Sequence, residues 1–92
     1  MPTISVKKLD DSTFEVTVQD TTLTTHIITV PPHYTGRLTG GKASANLLVS
    51  RSFDFLLERE ANTSILRRFD LSMIAHYFPE YERTIREMLQ GS

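Results

Sequence analysis

The segment GRLTGGKAS, residues 36–44, holds the side chains best suited to gripping a phosphate. A loop of the Gly-x-x-x-x-Gly-Lys type wraps backbone N–H groups around phosphates, sends its lysine to the terminal ones and holds magnesium with the next hydroxyl. Gly36, Gly41 and Lys42 have that spacing, but position 43 is alanine. Ser44 comes one residue late, and one residue turns a helical side chain by about 100°. PPHYT also separates the glycines from the preceding apolar run, whereas the motif leaves its strand directly. The stretch therefore reads as a glycine hinge into a helix. Gly40 and Gly41 supply positive φ, and Thr39 or Ser44 accepts from early helical N–H groups. A weaker chemistry survives. A helix N-terminus attracts anions, and His33, Tyr34, Arg37, Gly40, Gly41, Lys42 and Ser44 are the candidate ligand-binding residues.

Other chemistries find little support. The histidines are His26, His33 and His76, none spaced from another as metal ligands are. There is no cysteine and no Gly-x-Ser-x-Gly elbow. Asp10 and Asp11 fall in a turn and do not form an acid–base pair. The expectation is a protein without catalytic residue, metal or cofactor, more simply a non-enzyme than an enzyme. Arg67 and Arg68, with Arg83 and Arg86, are interleaved with Phe69, Tyr77, Phe78 and Tyr81, a composition that suits nucleic acid. The plainer reading puts the aromatics in the core and pairs each arginine with Asp70, Glu80, Glu82 or Glu87. A formal net charge of −1 also argues against attraction to nucleic acid or an anionic membrane.

The elements that would position these residues follow from periodicity. In STFEVTVQ, Phe14, Val16 and Val18 alternate with polar residues, as in a strand with one wet face. TISVKKL precedes it across the turn residues DDS, and TTHIITV follows, ending against Pro31-Pro32. Strands are expected at about 3–9, 13–19 and 24–30, as an antiparallel meander. From 43 to 60 the period becomes helical, with Ala45, Leu48, Val49, Phe53, Phe55, Leu56 and Leu57 on one arc. Leu47 lies on the opposite, polar arc. A lone surface leucine is ordinary, yet Leu47, with Arg67 and Arg68, is a candidate partner-binding residue. Short helices are expected at about 64–68, 71–77 and 79–89, and the segment 31–41 as a loop. SMIAHYF is apolar enough to bind a partner, although burial within the monomer is the simpler expectation.

The segments TTHIITVP and SFDFLLERE…SILRRFDLSMIAHYFPEYERTI resemble a small family of uncharacterised bacterial proteins. The resemblance implies a stand-alone bacterial domain and transfers no site residue.

The expected fold is thus α+β, one domain over residues 1–92, with a three-stranded meander packed on a long helix and closed by short C-terminal helices. MPTISVKK lacks the apolar core of a signal peptide and no run approaches membrane-spanning length, so a cytoplasmic protein is expected. The expected function is a small non-enzymatic protein-interaction module acting through a protein partner or a homodimer. Second comes a small-molecule or anion binder at residues 33–44, and third a nucleic-acid binder using Arg67 and Arg68.

Overall fold

The chain begins with a hairpin whose turn is closed by a side chain. In the computed structural model, which describes residues 2–90, Ser12 N–H donates to Asp10 Oδ1 at 2.9 Å and Leu9 N–H to Thr13 O at 2.8 Å. This Asx turn joins β1 (Thr3–Lys8) to β2 (Thr13–Gln19), and β3 (Leu23–Thr29) continues the antiparallel ladder. The alternation read in the sequence sets the faces. Phe14, Val16, Val18, His26 and Ile28 are wholly buried, while Glu15, Thr17 and Thr25 take the other side.

The sheet has four strands, not three. Its order is β1-β2-β3-β4, and β4 (Arg68–Asp70) runs parallel to β3. The expected helix at 64–68 is replaced by a 3-10 turn at Asn62–Ser64 followed by this strand. Ile65 and Phe69 have helical spacing, but β3 presents backbone groups that need partners. Ile27 N–H donates to Arg67 O at 2.7 Å, and Leu71 N–H to Thr29 O at 2.9 Å. The demand of an unpaired strand outweighs a weak local preference.

The expected loop at 31–41 is likewise a helix, α1 (Pro32–Thr39). Pro32 occupies the first helical position, where its missing N–H costs nothing and its φ is already helical. Tyr34 and Leu38, one turn apart, are both buried, and Gly40 ends the helix at φ 63°. Gly41 follows at φ 78°, so the hinge has the positive φ expected of it. The long helix α2 (Ala45–Leu57) is shorter at both ends than its periodicity suggested. It starts at Ser44, whose Oγ accepts from Leu47 N–H at 3.1 Å. Its apolar face buries Leu48, Val49, Phe53, Phe55 and Leu56, while Ala45, Leu57 and Leu47 are half-buried. Two further helices, α3 (Met73–Tyr77) and α4 (Tyr81–Gln90), complete the cover. α2 lies on β1 and β2, and α4 packs on α1, α2 and α3. No helix among the described residues is long and apolar enough to cross a membrane.

Candidate functional site

Many polar groups of residues 33–44 are engaged within the chain, although the buried Thr35 hydroxyl has no hydrogen-bond partner among the described residues. Tyr34 hydroxyl donates to Glu82 Oε2 at 3.1 Å, and Arg37 Nη2 donates to the same oxygen at 2.9 Å. The Arg37 guanidinium also lies 5.1 Å from the centre of the Tyr34 ring. Two candidate ligands thus converge, but on a carboxylate from α4. Burial pushes the Tyr34 phenol upward, and the adjacent Glu82 charge adds to the shift. The amides that would cradle a phosphate are bonded internally. Gly40 N–H donates to Gly36 O at 2.8 Å, Gly41 N–H to Thr39 Oγ1 at 3.1 Å and Lys42 N–H to Thr39 O at 3.2 Å. His33 and Lys42 are exposed, and Ser44 caps α2.

A different region has apolar surface to spare. Between the end of α2, the 64–69 segment and α3 runs a groove of about 250 Å³. Leu56, Ile65, Ile74, Phe69 and Phe78 line it, and all are buried or half-buried. At its margin stand Leu66, 53% exposed, and Tyr77, 62% exposed. Met73 and Ser64 also border it, and Glu60 is the one charged residue among its lining. Burial was the simpler expectation for SMIAHYF, and Tyr77 corrects it. A five-residue α3 is too short to turn every apolar side chain onto the core.

Arg67 and Arg68 stand between groove-lining Leu66 and Phe69, and both are exposed. Neither forms an ion pair among the described residues. The expected pairing with nearby acids does not form, and two of the four acids are already paired with other arginines. Glu82 holds Arg37, and Glu80 lies 3.5 Å from Arg59. Arg59 itself is fixed over the Phe55 ring at 3.6 Å and donates to Phe55 O at 3.0 Å. Leu47 lies on α2, on neither of these surfaces.

The groove wall is fastened from behind by a buried polar chain. His26 Nδ1 lies 2.8 Å from Leu66 O, and a carbonyl only accepts, so Nδ1 carries the proton. Nε2 then accepts from Thr24 hydroxyl at 2.9 Å. Thr24 Oγ1 accepts in turn from Asn62 Nδ2 at 3.0 Å, whose second hydrogen goes to Thr22 O at 2.8 Å. Every direction in this chain is satisfied with neutral imidazole. Burial pushes the His26 pKa below its ordinary value, and nearby Arg67 lowers it further against the opposing Leu66 bond. Phe53 packs on the same imidazole, ring centres 5.3 Å apart.

Sequence reasoning missed the groove because it put Ile65 and Leu66 in a short helix and the aromatics Phe69 and Tyr77 in the core. The doublet Ile65-Leu66 followed by Arg67-Arg68 was the available signal, since adjacent apolar residues on an extended segment face opposite ways. Among the described residues no group of three or more histidines and carboxylates is placed to hold a metal. Comparisons with protein-family models, curated proteins and solved structures return no match.

Proposed function

We propose that this chain is a small non-enzymatic interaction module that binds a partner's peptide segment in the groove between residues 64–69 and α3. The observation that carries this reading is an apolar concavity with Leu66 and Tyr77 exposed at its margin. Contiguous apolar surface around a depression is characteristic of partner sites. The volume helps to choose the occupant. About 250 Å³ falls short of the roughly 300–1,000 Å³ of pockets that enclose small ligands, but it accommodates an anchoring aliphatic or aromatic side chain. Arg67 and Arg68, which form no ion pair among the described residues, favour acidic residues beside that anchor, directed away from Glu60. The expected partner is therefore an acidic segment with one large apolar residue.

Selection of random peptides against the folded protein tests this. Enriched sequences should carry an aromatic or aliphatic residue flanked by aspartate or glutamate. Tyr77→Asp should keep the circular-dichroism spectrum and weaken the selected peptides at least tenfold. No enrichment, or binding indifferent to Tyr77→Asp, refutes the reading. Binding that needs only Arg67 and Arg68 and falls steeply with salt would favour a polyanion in place of a peptide.

A further inference from the structure

The open edge of β1 has a chemistry of its own. In an antiparallel ladder, residues alternate between exchanging both backbone bonds with the facing strand and turning both groups away. Leu9 N–H bonds Thr13 O, which places Lys7, Ser5 and Thr3 in the phase that faces β2. Ile4, Val6 and Lys8 therefore direct their N–H and C=O groups outward, along an edge of the sheet. The same alternation recurs across the sheet, where Ile27 N–H and Thr29 C=O face β4. The side chains of the outward residues lie on the helix-covered face, since Ile4, Val6 and Lys8 oppose the buried Val18, Val16 and Phe14. Ile4 and Val6 remain only half-buried.

Beside this edge, at Pro2, an open hollow of about 620 Å³ lies against α2 and α4. Its charged lining is Arg51, paired with Asp54 at 3.3 Å, Glu58, which also lies 3.6 Å from Arg59, and Glu87, which forms no ion pair among the described residues. Lys8 is exposed and has no ion pair among the described residues. Lysines on an edge strand usually deter pairing. Here they restrict it to a strand that brings carboxylates to meet them.

We propose that two copies of the chain pair through β1, antiparallel and related by a two-fold axis between their Ser5 residues. In that register Ile4 and the partner's Val6 exchange both backbone bonds, as do Val6 and the partner's Ile4. Lys8 N–H reaches the partner's Pro2 carbonyl, and Pro2 has no N–H to leave unpaired. The side chain of the partner's Lys8 then stands over the acidic hollow, and symmetry repeats the contact. Shifting the axis to Val6 would set Lys8 against Ile4, charge against apolar surface, so the charges select Ser5 as the centre. The product is one continuous sheet of eight strands, four from each copy, with both helical layers on one side.

The register dictates the test. Ser5 facing the partner's Ser5 is a pair without backbone bonds, for which Cα atoms lie about 4.5 Å apart. That spacing suits a disulfide, and the chain has no cysteine to interfere. Thr3 and Lys7 each lie about 14 Å from their own symmetry mates, at roughly 3.4 Å per residue. Sedimentation of the wild-type chain should show mass rising from monomer to dimer with concentration. Ser5→Cys should crosslink in a glutathione buffer at least tenfold faster than Thr3→Cys or Lys7→Cys. Lys8→Glu should weaken the dimer at least tenfold, and adding Glu58→Lys should restore part of the loss. A wild-type monomer at millimolar concentration overturns the proposal. Crosslinking at Thr3→Cys or Lys7→Cys as fast as at Ser5→Cys overturns the register.

Discussion

The Tyr34–Arg37–Glu82 cluster and the groove beneath Leu66 and Tyr77 lie in different parts of the molecule and differ in kind. The first is built from residues that chemistry recommends: a phenol, a guanidinium, a carboxylate and a nearby lysine. Its phenol and guanidinium hydrogen-bond the carboxylate from α4, and the adjoining backbone amides bond within the chain. The second is built from side chains that any core would use, yet two of them stand in solvent. A residue's type says what it can bind. Whether the fold already supplies a partner says whether it is available to do so. On this comparison, Tyr34 and Arg37 fasten α1 to Glu82 of α4, while Leu66, Tyr77, Arg67 and Arg68 remain exposed.

The comparison can be broken at the support behind the groove. Asn62→Ala removes both donors from Thr24 hydroxyl and Thr22 carbonyl in a buried setting. It should cost about 1–3 kcal/mol in urea unfolding, the desolvation cost of groups left unpaired. A loss near zero would mean that the wall is held by packing alone.

Next comes acid. His26 is held neutral, with its folded pKa lowered from 6.5 chiefly by burial. The unfolded chain therefore takes up this proton first, and stability rises with pH wherever it does. The contribution is complete above the unfolded value of 6.5 and declines as pH falls from there through the folded value. Thermal unfolding of the wild type should drop to lower temperature as pH falls below 6.5, with a smaller drop in His26→Gln. Parallel curves for the two proteins would remove His26 as the cause. Groove binding should weaken over the same interval, because a proton added at Nε2 ends its acceptance from Thr24 hydroxyl and disturbs the polar chain behind Leu66.

The smallest effect belongs to the cluster that looks most chemical. The side chains of Arg37 and Glu82 are 55% and 27% exposed, so solvent screens their attraction. Glu82→Gln should cost about 0.2–1 kcal/mol in the same unfolding measurement, since exposed ion pairs contribute little and the amide oxygen still accepts from Tyr34. A loss of several kcal/mol would reverse the ranking of the two regions.

Much of the fold was legible from local pattern. Alternation at Phe14, Val16 and Val18 identified a half-buried strand, and the helical arc from Leu48 to Leu56 identified the main helix of the core. The αL turn at Gly40 and the Ser44 cap were also readable, because each depends on a residue and its immediate neighbours. α1 was within reach too. Pro32 at a helix start, Tyr34 and Leu38 one turn apart and Gly40 at the end are all local signals, obscured by the resemblance of the stretch to a phosphate loop. The fourth strand was not within reach. Arg68–Asp70 is extended because β3 needs a neighbour, and nothing in SILRRFD states that need.

The sequence by itself therefore settled the faces of the three-stranded meander, the apolar stripe of α2 and the turn chemistry between elements. These follow from side-chain spacing and backbone preference over a few residues. Only the tertiary structure decided which polar groups would find partners, which arginines would lack them and where apolar surface would be left over. Those outcomes depend on contacts between residues far apart in the chain, such as Arg37 with Glu82 and His26 with Leu66. No short stretch of residues encodes them.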